Sequence, residues 1–333
     1  MALREIALPD GTPTEHLGRP CVRFDDGAIA LVPVGDVSLV DGVVEVDLAV
    51  SGERSFPGLA WRIRDGSHEE FFIRPHQVGN PDAVQYAPAF NGVSSWQLYH
   101  GQGHWAAVDY PIGRWFRLRV CFVGPRGEAY LDDMDTPALV FGRLRGPIAK
   151  GAIGILPGGP GVHFGRIAYD SSPPVLRGSE PRVDELPAGT VPGWWVSNLV
   201  AEGTSPSAAR TWTYIDCELN GLADLARVHP LGTTLNTVFA RSTVSASSAG
   251  IRALDLGFSD RAVVYLNGRP LFAGRDDYQS RDYRFLGSIG YWDTVFLPLE
   301  QGENELVIAV SETFGGWGVM ARFADHAGIW FPR

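Results

Sequence analysis

Apolar and polar residues alternate one for one along many short segments of this chain, and no other feature limits its fold as strongly. In Val43-Val-Glu-Val-Asp-Leu-Ala-Val50, Val44, Val46, Leu48 and Val50 fall on one side of an extended strand, and Glu45 and Asp47 fall on the other. Leu59, Trp61 and Ile63 alternate in the same way with Arg62 and Arg64, and Phe116, Leu118, Val120 and Phe122 with Arg117, Arg119 and Cys121. A period of two marks a strand with one buried face; an amphipathic helix needs a period near 3.6. Gly, Pro, Asn or Asp interrupts the pattern about every ten residues, the spacing of a sandwich. The second half repeats the style in Ile251–Phe258, Ala262–Leu266 and Val295–Val310, with Asn267-Gly268 as a hairpin turn. The only helical expectation is a turn or two near 222–228. The fold class that follows is all-β, with antiparallel sheets.

At 333 residues the chain is long enough for two domains. The longest stretch without periodicity, Asp170 to Gly189, is rich in Pro, Ser and charge. The expected organisation is therefore a first domain over 1–172, a linker over 173–188 and a second domain over 189–333. The net charge of −10 argues against nucleic acid and anionic membrane surfaces, which need clustered Lys and Arg. It leaves a carbohydrate or another small neutral ligand as the expected partner, and leaves the oligomeric state open. The three cysteines, Cys21, Cys121 and Cys217, form neither a disulfide framework nor a zinc motif. The N-terminus has no apolar signal-peptide core, and no apolar run reaches the length of a membrane span, so the expected location is cytoplasmic. No nucleophile elbow, P-loop, dinucleotide fingerprint or zinc-protease motif occurs.

Residues of about 20–170 carry Phe24-Asp-Asp-Gly27, Glu70-Phe-Phe-Ile-Arg-Pro-His76, Val84-Gln-Tyr-Ala-Pro-Ala-Phe-Asn-Gly92, Trp96-Gln-Leu-Tyr99, Arg114-Trp-Phe-Arg-Leu118, Ala129-Tyr-Leu-Asp-Asp133, Gly151-Ala-Ile-Gly-Ile155 and Val162-His-Phe-Gly-Arg166. In that order they resemble the concanavalin A-like lectin/glucanase superfamily, nearest to the 3-keto-disaccharide hydrolase-like and laminin-G-like domains. Residues of about 190–325 carry Leu256-Gly-Phe-Ser-Asp260, Val264-Tyr-Leu-Asn-Gly-Arg-Pro-Leu-Phe272, Leu297-Pro-Leu-Glu-Gln-Gly-Glu-Asn-Glu-Leu306 and Phe314-Gly-Gly-Trp-Gly318. These look like a galactose-binding-domain-like jelly roll. The resemblances imply two tandem antiparallel β-sandwiches, with ligands on the concave face of the lectin-like one. They specify the fold better than the activity, because such folds serve many functions.

On that face, alternation groups Glu70, Phe72, Arg74 and His76 against Phe71 and Ile73, and pairs Arg62 with Arg64. Gln85, Tyr86, Asn91, Trp96, Gln97 and Tyr99 join them as ligand-binding candidates. Fork-like polar groups beside aromatic faces suit sugar hydroxyls and ring C–H surfaces. The same Arg and Glu side chains also fit a cross-strand charge ladder on a solvated sheet. The first functional expectation is carbohydrate recognition. The second is a glycoside hydrolase or lyase with Glu70 and His76 as acid and base, aided by Arg74. The third is a non-sugar biosynthetic or scaffold protein on a lectin fold. The paired-carboxylate strand motif of glucanases is missing: Glu45-Val-Asp47 comes early in the chain, and the adjacent Glu69 and Glu70 point to opposite faces. No prosthetic group is expected. Calcium stays open at Phe24-Asp-Asp-Gly27, Asp132-Asp-Met-Asp135 and Arg275-Asp-Asp277, although none matches a defined calcium loop and turn chemistry explains each.

Overall fold

Strand Gly42–Val50 shows how the alternation becomes tertiary structure. On one side it pairs antiparallel with Trp115–Val123, setting Leu118 opposite Val46 and Val120 opposite Val44. On the other it pairs with Val162–Asp170, setting Phe164 opposite Leu48 and Ile167 opposite Val46. Apolar side chains of neighbouring strands therefore share one face and bury together, while the charged residues share the other. A computed structural model describes residues 3–25, 27, 28, 30–179 and 185–332. Apart from three one-turn 3-10 segments, its regular elements are all strands. No described helix is long and apolar enough to cross a membrane.

The chain divides into two compact units: Met1–Ala89 with Tyr99–Arg182, and Phe90–Leu98 with Val183–Arg333. Two features of this division differ from the sequence reading. Phe90–Leu98 packs with the second unit, although the chain around it belongs to the first. The described residues to Ser179, expected as linker from 173 onward, stay with the first unit. The rest of that expected linker includes 180–184, which lie outside the described residues.

In the first unit, one sheet runs from Leu139–Phe141 through Arg126–Leu131, Trp115–Val123, Gly42–Val50, Val162–Asp170 and Arg19–Arg23 to Thr12–His16, with Arg4–Ile6 beside Val162–Asp170. The facing sheet runs Trp105–Ala106, Val84–Phe90, Ser67–Ile73, Gly58–Arg64, Gly151–Leu156, Val32–Leu39. Their inner faces supply one core. Trp61 bridges the sheets, stacked 5.6 Å from Phe122 and 5.8 Å from Phe141. Each such aromatic pair adds about 0.5–1.5 kcal/mol beyond the area it buries.

The second unit places Trp212–Asp216, Gly193–Ser197, Thr237–Ala246, Gly302–Ser311, Asp260–Leu266 and Arg269–Asp276 in one sheet, and Ala223–Asp224, Gly318–Phe323, Gly250–Phe258 and Asp293–Leu299 in another. Its core holds Trp194, Trp317, Phe258 and Phe323. Asn267 and Gly268, at φ 50° and 77°, form the hairpin turn that their sequence signals. The helical expectation at 222–228 resolves into a short strand, Ala223–Asp224, and one 3-10 turn, Leu225–Arg227.

Candidate functional site

Strand Ser67–Ile73 sends Phe71 and Ile73 into the core. Glu70 and Phe72 therefore face outward, as the alternation implies. The register sets Gly58 opposite Phe72, Phe72 opposite Gln85, and Gln85 opposite Trp105, so the outward row carries Phe72, Gln85 and Trp105. The strand stops at Ile73 because Pro75 has no N–H for the ladder and restricts the residue before it. Arg74 sits at φ −118°, ψ 88°, and Pro75–Gln77 turn as a 3-10 segment. His76 is thus not the next outward position of the strand, which corrects the expected alignment of Glu70, Phe72, Arg74 and His76.

Arg74 organises the rim of the sheet. Only 4% exposed, it donates through Nη1 to the Asp82 carbonyl at 2.8 Å and through Nη2 to Gln85 Oε1. The Asp82 carboxylate lies 3.8 Å away. Gln85 in turn donates to the Tyr99 carbonyl at 2.8 Å. The guanidinium carbon stands 5.1 Å from the Phe72 ring and 5.9 Å from the Trp105 ring. Burial pulls its pKa down to about 10, so it stays charged at neutral pH.

His76 lies edge-on to Phe56 at 5.4 Å, and Arg54 covers that same Phe56 ring at 5.6 Å. Burial, then the charges of Arg54 and Arg74, lower the His76 pKa, so its imidazole is neutral at pH 7. Its Nδ1 and the indole Nε1 of Trp105 are buried atoms without a hydrogen-bond partner among the described residues. A buried polar atom left in this way costs about 1–3 kcal/mol until something bonds to it. Arg54, Phe56, Asp82 and Trp105 were not singled out from sequence. Trp105 follows the turn-forming Gly101-Gln-Gly-His104, and its two-residue strand is too short to show a period.

The other candidates disperse. Glu70 contacts the imidazole of His68, at 3.1 Å, and not that of His76. Glu70 thus stands beside His68 and not in the expected pair with His76. Arg62 is 3% exposed and sits at φ 53° in a β-bulge, where the register shifts between Trp61 and Arg64. It turns inward to the carbonyls of Val40 and Gly124, at 2.8 and 2.7 Å, and to Asp41 at 3.2 Å. Arg64, by contrast, is exposed beside Asp65, so these two arginines do not share an open face. Tyr86 belongs to the core, where its hydroxyl donates to Glu69 at 2.7 Å and accepts from the Arg145 amide. Tyr99 is buried too, with Arg145 5.7 Å from its ring.

Asn91, Trp96 and Gln97 pack within the second unit. Asn91 donates to the Ala226 carbonyl at 2.8 Å and Gln97 to the Leu286 carbonyl at 2.6 Å, while Trp96 meets Phe314 at 5.6 Å. Gly315 belongs to the Phe314-Gly-Gly-Trp-Gly318 motif for a steric reason. A Cβ there would fall 2.1 Å from Gln97 Oε1, and its φ is 103°.

The carboxylates expected to stay out of catalysis are engaged. Glu45, fully buried, meets Arg119 and Arg166, while Arg117 holds Asp47 at 2.8 Å. In the turns left open for calcium, described acids meet partners within the protein. Asp132 pairs with Arg114, Asp135 with Arg177, Asp276 with Arg281 and Asp277 with Arg261, while Asp133 accepts the Asp135 amide. Asp26 lies outside the described residues. Among the described residues no group of three or more His, Cys, Asp or Glu side chains is placed to hold a metal.

No protein-family model matches the chain. No curated protein matches it by sequence. Solved structures with a similar course of chain include the carbohydrate-binding module CBM66 from Bacillus subtilis, 16% identical, covering 51% of this chain and 95% of that one at a TM-score of 0.36. The galectin LEC-6 of Caenorhabditis elegans is 15% identical, covering 44% of this chain and 94% of that one at 0.31. Domains LG4-5 of the mouse laminin α1 chain are 12% identical, covering 99% of this chain and 98% of that one at 0.29.

Proposed function

We propose that the first unit recognises a carbohydrate at the rim formed by Phe56, His76 and Trp105 around the Arg74–Gln85 pair. The observation that carries this reading is the pairing of aromatic surface with polar atoms that no described residue satisfies, His76 Nδ1 and Trp105 Nε1. A neutral imidazole offers one donor and one acceptor, and an indole offers one donor; both suit an uncharged hydroxylated ligand. Buried Arg74 is fixed by Asp82 and Gln85, so it holds the rim in place more than it reaches outward. Isothermal titration against neutral oligosaccharides chosen from a glycan array tests the reading. Trp105→Ala and His76→Ala each weaken binding by about tenfold or more, since each loses a hydrogen bond and packing surface. Arg64→Ala, altering an exposed side chain paired with its neighbour, leaves binding unchanged. Silence toward every sugar, or binding indifferent to both rim variants, rules the site out and favours a non-sugar ligand.

One observation favours a hydrolytic form of this reading. Glu70 and His68 form a partly buried carboxylate–imidazole contact, the kind of pair that shuttles protons. Release of product by the wild-type chain, lost in Glu70→Gln while binding persists, supports it. Binding without turnover supports recognition alone.

A further inference from the structure

The first unit contains a cavity of about 640 Å³ on the outer side of its other sheet, the one built on Gly42–Val50. That volume lies within the usual range for small-molecule sites. The cavity arises from the way residues 170–178 cross the sheet. At one end Asp170 accepts the Ser172 amide at 2.9 Å. At the other, the amides of Arg177 and Gly178 donate to the two oxygens of Glu128, a carboxylate fully buried in the sheet. Gly178 is required there, because a Cβ would fall 2.3 Å from Val140. Between the anchors, Pro173 and Pro174 have no N–H to offer a strand and hold the backbone extended. The strap is thus fastened at both ends, and Leu176 packs it onto Val43, Cys121 and Tyr130 of the sheet, leaving the cavity beside Pro173, Pro174 and Val175.

The walls divide by chemistry. Cys121, Tyr130, Met134, Pro173, Pro174 and Val175 supply apolar surface. Arg4, Arg119 and Arg177 are the cationic residues of the lining, against one acidic residue, Asp170. Arg119 is already paired with Glu45 and Arg177 with Asp135. Arg4 has no carboxylate partner among the described residues, so it is the cation left for a ligand.

We infer that this cavity binds a small organic carboxylate with an apolar body, its anionic end on Arg4 and its apolar end between Tyr130, Met134 and the proline strap. The site is separate from the proposed sugar rim and does not depend on it. The experiment is isothermal titration of the full chain with 4-phenylbutyrate, hexanoate, glucuronate and inorganic phosphate. In a Cys21→Ser/Cys217→Ser background, the alkylation rate of Cys121 provides a second readout. Burial pushes this thiol up to about 12, so it reacts slowly and any occupant shields it further. The expected result is binding of the two apolar carboxylates, with Cys121 alkylation slowed several-fold. Arg4→Gln, at an exposed position, weakens that binding by about tenfold or more, the usual loss when a charged hydrogen bond goes. Met134→Trp fills the cavity and abolishes binding. Should either variant fail to fold, Cys121 protection in the otherwise unaltered chain decides. Glucuronate binding as tightly as 4-phenylbutyrate overturns the inference. Binding of phosphate alone, no protection of Cys121, or affinity indifferent to both variants also overturns it.

Discussion

The two units hold their central buried charges differently. In the first, Glu45 and Arg62 meet opposite charges, although Glu69 and Glu128 rest on amides and hydroxyls. Glu45 faces Arg119 directly across the strand pair, and Asp47 faces Arg117. Arg166 adds a second cation to Glu45 at 3.3 Å, and Arg62 finds Asp41 and two carbonyls. In the second unit, three of the buried acids sit at strand ends and are satisfied by amides and hydroxyls. Asp224 accepts the Ser95 hydroxyl at 2.8 Å and the Ala226 amide at 3.1 Å. Asp260 accepts the Thr313 amide and Glu312 the Phe314 amide. Burial pushes the Asp224 carboxyl up to about 7. Burial first, then the charge of Asp260, raises Glu312 well above the ordinary carboxylate range. Cross-strand pairing gives an acid a lasting counter-charge; a strand end gives it donors but leaves it ready to take up a proton.

The strongest way to break this comparison is to remove the central carboxylate of the first unit. Glu45→Ala leaves arginines facing one another across a partly buried sheet face. Its expected cost is about 3 kcal/mol, the scale of losing one partner from a buried ion pair. Hydrogen exchange read strand by strand checks it. Protection falls in Gly42–Val50 and Trp115–Val123 and stays unchanged in Thr237–Ala246. A loss below about 1 kcal/mol would mean that the arginines are solvated well enough to do without their acid.

Next in size is the opposed response to pH. Burial, then the charge of Arg145, lowers the His104 pKa to about 3. Because its folded value lies below its unfolded one, the unfolded chain takes up the proton first. The contribution of His104 is complete above about pH 6.5 and is lost as pH falls toward 3. Asp224 behaves in the opposite sense. Its folded value lies above its unfolded one, so its contribution is complete below about pH 4 and is lost as pH rises through 7. A tenfold difference in proton affinity between the folded and unfolded chain is worth about 1.4 kcal/mol, so effects of a few kcal/mol are in play. Between pH 7.5 and 5.5, hydrogen exchange should slow around Asp224 and quicken around His104. Glu69, raised by burial, opposes His104 within the first unit, so His104→Gln isolates the imidazole. If that variant keeps the full acid sensitivity of the first unit, His104 is not its source.

Most of the fold was legible because each strand states its buried face in its own sequence. Val44, Val46, Leu48 and Val50 needed no tertiary knowledge to be read as core, and Asn267-Gly268 announced its hairpin. The site was less legible, for local reasons. Trp61-Arg62-Ile63 alternates perfectly on paper, yet a bulge at Arg62 turns the guanidinium inward, and one inserted residue leaves no mark on the pattern. Pro75 did signal that the strand ends, so the shift of His76 out of line was readable from the proline rule. The segment Phe90–Leu98 was not. Its packing rests on glycines more than two hundred residues away, at 315 and 316, whose missing side chains admit Gln97 and Ser95.

The smallest expected effect is also the most discriminating. Asp224→Asn keeps the shape of the side chain and removes its titration. At pH 7 the native carboxyl is about half protonated, so its charged form is already disfavoured and little is lost by deleting it. Asn still accepts through its oxygen from Ser95 or Ala226, but its amide group must find an acceptor where a carboxylate oxygen stood. The two effects oppose each other, and the net change at pH 7 is expected within about 1 kcal/mol. The informative quantity is the slope. Between pH 5 and 8 the variant should lose most of the pH dependence of exchange in Ala223–Asp224 and its partner Gly318–Phe323, while Glu45→Ala should leave that slope intact. A variant that keeps the slope would move the titration to Glu312 or Asp260, and the contrast between the units would then rest on those strand-end acids alone.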